Sequence, residues 1–120
     1  MVRIVVGGQI DKDRVATIAR EVLQDKGSVT VMDDIQASMA IKGGQADYYL
    51  GACNTGGGGA LAMAIALLGM SSCATVSMPG KIKSDEEIEK EVEAGKKAFG
   101  FTPQHADKVI PVIINKILKG

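Results

Sequence analysis

The sequence predicts a single three-layer α/β domain, Rossmann-like, on a parallel sheet of four or five strands. Three observations carry this. The β-branched run Val2 to Val6 ends in the paired glycines Gly7 and Gly8, the pattern of a buried strand turning into a helix. Short apolar runs of this kind then alternate with segments whose apolar residues recur three and four positions apart. Parallel strands joined by crossover helices satisfy such an alternation. Finally, YYLGACNTGGGGALAMAIALLG, Tyr48 to Gly69, passes from strand-like to helix-like residues through a cysteine and four consecutive glycines.

Each element follows in order. After the first strand, Asp11 can cap a helix carrying Val15, Ile18, Ala19, Val22 and Leu23 on one face, with Gly27 closing it. Ser28 to Met32 reads as the second strand. Asp33 or Asp34 then caps a short helix with Ile35, Met39 and Ala40 as apolar positions, stopped by Gly43 and Gly44. Asp47 to Ala52 is the third strand, and the glycines lead from it into an apolar helix, Ala60 to Leu68. Ser72 to Met78 is the fourth strand, ended by Pro79 and Gly80. Ser84 and Glu87 form the two halves of a capping box, opening a charged helix to about Lys97 with Ile88 and Val92 inward. Ala98 to Phe101 is a short fifth strand. Thr102 and Pro103 suit an N-cap and first helical position, and the last helix carries Val109, Ile110, Ile113, Ile114, Ile117 and Leu118, with Pro111 near its start.

The 120 residues suffice for one domain with a sizeable core. Fourteen basic and fourteen acidic side chains cancel, so no net field draws the chain to nucleic acid or an anionic membrane surface. Two Tyr, two Phe and no Trp leave little for base stacking. The opening residues MVRIVVGGQ do not have the form of a signal peptide. The longest apolar run, Ala60 to Met70, is shorter than the ~20 residues a bilayer span needs. Two cysteines in this setting are expected as reduced thiols in the cytoplasm.

Four glycines in a row are costly to order, so a backbone free of side chains must serve something there. In open α/β sheets ligands gather at the carboxyl ends of strands, and this segment lies on that rim. Glycines opening a helix leave several N–H groups and the positive end of the helix dipole aimed at one spot. The stretch thus reads as an anion cradle made by Asn54, Gly56, Gly57, Gly58 and Gly59. Cys53 sits at the strand end, where the same field favours a thiolate. With the Thr55 hydroxyl beside it, Cys53 could remove a proton next to a carbonyl while the loop holds the enediolate oxygen. The structural alternative is that the glycines allow helix and strand to pack closely and Cys53 is a small buried residue.

Other residues fall on the same expected rim. Gly7, Gly8 and Gln9 end the first strand, where the glycine pair also suits a plain strand-to-helix turn, and His105 opens the last helix either as a further candidate for proton chemistry or as a solvated surface histidine. Lys81, with Lys83, follows the Pro79–Gly80 turn and could reach a phosphate. The acidic residues from Asp85 to Glu93 read as a solvated helix face, and Cys73 as a packed core thiol. Neither a dinucleotide fingerprint nor a Walker lysine is present, and no metal-ligand spacing is found, so the reading includes no cofactor and no metal. The expected partner is a small anionic metabolite. The helix Ala60 to Leu68 is apolar all round and must be covered on every side, so a homodimer packed near it is expected, the alternative being full burial within the monomer.

CNTGGGGALAMAIA, Cys53 to Ala66, preceded by GGQADYYLGA, resembles ribose-5-phosphate isomerase B and its galactose-6-phosphate isomerase relatives; KKAFGF resembles their final strand. That resemblance implies an enediol base at Cys53 and an oxyanion hole at Thr55 to Gly59. The Asp-His pair those isomerases carry after the first strand has no counterpart in GGQIDKD, and the chain's one histidine is His105. Over nearly its whole length, through VVGGQIDK, DYYLGACNTGGGGAL, MPG, GKKAFGF and HADKVIP, the chain resembles the YhfU-like family of small bacterial proteins of unknown function. That family's gene neighbourhood implies uptake or catabolism of a small metabolite, which also admits a non-catalytic binding or regulatory subunit. Phosphotransferase IIB components share a reactive cysteine in a phosphate-cradling loop, implying a phosphocysteine carrier, but theirs follows the first strand whereas Cys53 follows the third.

Overall fold

The computed structural model describes residues 1–120. Seven strands and five α-helices follow in the order β1 (Val2–Gly8), α1 (Lys12–Leu23), β2 (Gly27–Val31), α2 (Asp34–Lys42), β3 (Tyr48–Ala52), α3 (Gly58–Leu68), β4 (Cys73–Thr75), β5 (Ser77–Met78), β6 (Lys81–Ile82), α4 (Asp85–Glu93), β7 (Ala98–Phe101) and α5 (Ala106–Lys119). Five strands form one parallel sheet in the order β2-β1-β3-β7-β4, while β5 and β6 pair as a small antiparallel hairpin. This is the α/β three-layer, Rossmann-like domain that the alternating pattern predicts.

Strand alternation assigns the core to two faces. Ile4, Val6, Leu50, Phe99 and Phe101 point to the face covered by α1, α4 and α5, in a buried cluster of 18 residues. Val5, Tyr49 and Ala98 point to the other face, under α2 and α3, in a cluster of only 10. The thinner cluster accounts for side chains left open on its outer helices: Ile35 and Met39 on α2 are 52% and 57% exposed. Only Leu61 and Ala64, with Ala60, are buried on α3.

The topology singles out β3. The helix that follows β3 lies on one face of the sheet, while those that follow its neighbours β1 and β7 lie on the other. The chain parts to opposite sides on both flanks of β3, so the carboxyl end of β3 is a topological switch point of the sheet, the place where open α/β sheets hold ligands. In register, Gly8 pairs with Ala52 and Ala52 with Phe101. The ends of β1, β3 and β7 therefore reach the rim together.

Several local expectations are corrected. Asp11 occupies the N-cap of α1 in a left-handed conformation and its side chain makes no capping bond. Gln24, at φ 53°, ends α1 instead of Gly27, which starts β2. On α2 the inward residues are Ala37, Ser38, Ala40 and Ile41, so Ile35 and Met39 lie on the outer side. Ser72 to Met78 is not one strand: the sheet strand stops at Thr75, and Ser77 turns into the hairpin. The charged helix stops at Glu93, because Gly95 at φ 91° takes the chain out of it. Thr102 leads into a short 3₁₀ turn, Pro103–His105, before α5 begins. Asp33 is the cap of α2, accepting from the Gln36 N–H at 2.7 Å, and the Ser84–Glu87 capping box forms with both bonds.

Candidate functional site

Cys53 is the first residue after β3. Its N–H donates to the carbonyl of Phe101 on β7 at 3.1 Å, which continues the ladder one step past the strand. The side chain turns under the glycine loop and is 2% exposed. Its Sγ lies 3.3 Å from the Thr55 Oγ1. Burial pushes the Cys53 thiol up, but the Thr55 hydroxyl and the main-chain N–H groups of Ala60, Thr55 and Gly59 outweigh that and hold it below the ordinary value. The start of α3 therefore favours the thiolate form of Cys53 relative to a free thiol.

The donors are in excess. No oxygen atom of the protein accepts from the N–H of Asn54, Thr55, Gly57, Gly58, Gly59 or Ala60, whereas Gly56 and Leu61 donate to the carbonyls of Cys53 and Gly57. The N–H groups of Thr55, Gly59 and Ala60 are the ones that lower the Cys53 thiol, and those of Asn54, Gly57 and Gly58 are left over. Asn54 and Gly58 are exposed and Gly57 half-buried. The loop thus has an inner layer holding the thiol and an outer layer open to solvent.

The glycines are also needed for packing. Gly56, at φ 88°, lies so close to Ser77 that a Cβ there would collide with its carbonyl oxygen. A Cβ on Gly57 would collide with the Thr75 Oγ1, and one on Gly59 would fall 2.5 Å from the Gln9 Oε1. The loop is held between the hairpin on one side and Gln9 on the other. Cradle and close packing are therefore two aspects of one arrangement.

The structure brings Gly8, Gln9, Cys53 and Asn54 to Gly59 together at the adjoining carboxyl ends of β1 and β3, on a surface that is not hollowed into a cavity. The Gln9 N–H anchors to the Ala52 carbonyl at 2.9 Å, and its side chain lies against the first turn of α3. Gly7 is a step lower and buried, packed against the Tyr49 ring and Asp34. His105 is half-buried above β7 on the same rim. Lys81 is exposed on β6 and forms no salt bridge; with Thr75, Ser77, Lys83 and Glu87 it lines a hollow of about 130 Å³ on the hairpin side of the loop. A larger hollow, about 650 Å³, lies at the opposite edge among Arg3, Asp47 and Lys97, where the strands begin.

Four polar residues escaped the sequence reading as site residues. The Tyr49 hydroxyl sits 2.7 Å from Asp34 Oδ1 and 2.5 Å from the Ala60 carbonyl, and it accepts from the Gly8 N–H at 2.9 Å. Asp34 also takes the Gly8 N–H directly. This knot ties the ends of β1, α2 and α3 together beneath the loop. Burial first, then the bond to Asp34 and its charge, push the Tyr49 phenol well up, so it remains a neutral donor. Ser77 and Thr102 form a second buried group, described below. The available signals were weak: paired aspartates at 33 and 34, of which only one can cap, and a tyrosine inside a strand, whose hydroxyl must find a partner.

The sequence model of one family, described as Protein of unknown function DUF2620, matches residues 2–117. Among curated relatives, the uncharacterized protein YhfU of Escherichia coli strain K12 is 45% identical over 89 residues, which is 74% of this chain and 76% of the relative. The protein of the same name from Shigella flexneri matches to the same extent, 45% over 89 residues. No solved structure matches the chain.

Proposed function

The chain belongs to the DUF2620 family of proteins of unknown function, and from that premise we propose that it binds a small anionic metabolite, a phosphorylated sugar or acid, at the Asn54 to Gly59 loop. The family supplies no activity, so the reading rests on the loop. The observation that carries it is the set of main-chain N–H groups between Asn54 and Ala60, Gly56 excepted, that no protein oxygen accepts, in a loop whose Asn54 and Gly58 are exposed beside Gly8 and Gln9. An anion placed there gains the donors of Asn54, Gly57 and Gly58 together with the positive end of α3. Lys81 and Lys83 stand on the hairpin side and add attraction for a phosphate.

The chemistry this site can support is isomerase-type proton transfer. A Cys53 thiolate, stabilised by Thr55 and the inner N–H groups, takes a proton from the carbon beside a carbonyl, and the outer donors hold the enediolate oxygen. The test is exchange of substrate hydrogen with deuterium from solvent, across aldose and ketose phosphates, in the parent protein and in Cys53→Ala. Exchange that disappears in the variant supports a base at Cys53; exchange that persists unchanged removes it from that role.

A second reading is favoured by the 2% exposure of Cys53. On this reading the thiol beneath the loop serves to fix the loop, and the chain is a non-catalytic binding or regulatory subunit. Phosphate binding that survives in Cys53→Ala, with no turnover in the parent, selects this reading. The same burial weighs against a phosphocysteine carrier, whose sulfur has to meet a phosphorylated partner; mass spectrometry after incubation with phosphorylated carrier proteins decides it.

Two surroundings complete the proposal. Cys53 and Cys73 are both free thiols, which suits the reducing cytoplasm. No helix of the structure is long and apolar enough to cross a membrane. The outer sides of α2 and α3 keep Ile35, Met39, Ala62 and Ala66 exposed, and a second copy of the chain is the proposed cover, since zero net charge sets up no repulsion between copies.

A further inference from the structure

We infer that Ser77 and Thr102 position His105 so that its Nε2–H is presented above the rim as a hydrogen-bond donor to an anionic oxygen. The inference deepens the binding reading and rests on it for what Nε2 meets. Three contacts define the group: the Thr102 N–H donates to Ser77 Oγ at 3.0 Å, the two hydroxyls lie 3.4 Å apart, and Thr102 Oγ1 lies 2.6 Å from His105 Nδ1. Ser77 is 2% exposed and Thr102 0%. Neither hydroxyl can turn to solvent for a partner.

Counting hydrogens gives the direction. Ser77 Oγ already accepts from the Thr102 N–H, and the one oxygen within its reach as an acceptor is Thr102 Oγ1. If Thr102 donated to Ser77, the Ser77 hydrogen would be buried with nowhere to go. If Ser77 donates to Thr102, the Thr102 hydrogen is free for His105 Nδ1, and every hydroxyl hydrogen is used. Nδ1 is then an acceptor, so a neutral ring carries its hydrogen on Nε2. Nε2 has no partner in the protein and points away from Thr102.

The location gives this a use. Phe101, just before Thr102, accepts the N–H of Cys53, so Thr102 follows the strand next to the cysteine loop, and Ser77 reaches it from β5. The same Ser77 contributes the carbonyl against which Gly56 packs. Ser77 thereby sets both the loop and the ring. The loop follows β3 and His105 follows β7, the neighbouring strand, so both stand at the carboxyl end of the sheet. Ser77 and Thr102 act through His105 and are positioning residues.

Because His105 is the chain's only histidine, protein labelled with ¹⁵N-histidine gives one pair of ring nitrogens. Long-range ¹H–¹⁵N correlation, at a pH where imidazole is neutral, reads the tautomer directly. The expected result is the Nε2–H form in the parent and in Thr102→Ser, and a mixture in Thr102→Val and in Ser77→Ala, with backbone amide spectra reporting that each variant is folded. An Nδ1–H form in the parent, or an unchanged Nε2–H form in folded Thr102→Val, overturns the inference. Titration with inorganic phosphate separates it from the binding reading. Shifts at both the loop amides and Nε2 support both. Shifts at the loop amides alone leave the binding reading standing and overturn the role given to Nε2. No shift at either removes both.

Discussion

The hydroxyl of Tyr49 lies 2.5 Å from the carbonyl oxygen of Ala60, joining the middle of β3 to the first turn of α3. It does so from within the core, at 0% exposure, with Asp34 and the Gly8 N–H as its other partners. Two of the N–H groups that lower the Cys53 thiol, those of Gly59 and Ala60, belong to that same first turn. Removing the hydroxyl while keeping the ring tests this link. Tyr49→Phe is expected to destabilise the fold by about 1–3 kcal/mol, because the Asp34 carboxylate and Gly8 lose a buried partner. Urea unfolding should show a lower midpoint at unchanged slope. An unchanged midpoint would mean the knot does not hold the loop.

Two glycines with similar backbone angles separate conformational strain from crowding. Gly44, at φ 79°, has open space where a Cβ would stand; Gly56, at φ 88°, has the Ser77 carbonyl there. Gly44→Ala therefore meets only the left-handed penalty, about 1–2 kcal/mol. Gly56→Ala adds a backbone collision, for a total on the order of 3 kcal/mol or more. Denaturant midpoints for the pair check the difference. Equal losses would show that the loop and hairpin are not pressed together.

The two cysteines are expected to titrate in opposite directions from the ordinary thiol value of about 8.5. Thr55 and the α3 N–H groups outweigh burial and hold Cys53 below it; burial, only partly offset by Lys96, pushes Cys73 above it. Cys53, lowered in the fold, adds stability that is present above the unfolded value and is lost as pH falls through its folded value. Cys73, raised in the fold, adds stability that is present below the unfolded value and is lost as pH rises through its folded value. Thiolate ultraviolet absorbance in Cys73→Ser and in Cys53→Ser reads each midpoint without requiring access to a reagent. Thr55→Val should raise the Cys53 midpoint; no change would take Thr55 out of the thiolate's support.

What the sequence made legible is what depends on local pattern. The β-branched run at Val2 to Val6, the Ser84–Glu87 box and the glycines after Ala52 each announce their own conformation. The rim at Gly8, Gln9 and Cys53 to Gly59 follows from strand and helix alternation. The rest depends on pairing between distant segments. Nothing in Ala98 to Phe101 says that this short strand lies between β3 and β4, yet that placement is what brings Thr102 beside Cys53. Ser77 reads as part of a strand until the sheet runs out of partners for it after Thr75. Tyr49 reads as a core aromatic, and its hydroxyl gains meaning only once Asp34 and Ala60 arrive from either side.

The outer faces of α2 and α3 lead to the last prediction. Leu61 and Ala64 turn inward on α3, which leaves Ala62 and Ala66, one turn apart, outward and exposed. Small residues four apart let another helix approach closely. Met39 on α2, 57% exposed, and Ile35, 52%, supply the larger side chains of the same outer layer. If a second copy covers this layer, burying Met39 contributes on the order of 1.5–3 kcal/mol per copy, and a charge there must be desolvated without a partner. Met39→Glu is therefore expected to convert a dimer to a monomer in analytical ultracentrifugation. Its effect on the monomer's own fold should stay within about 0.5 kcal/mol, since the side chain is outside the core. A parent chain that sediments as a monomer at all accessible concentrations would refute the paired state and leave the thin face of the sheet covered by α2 and α3 alone.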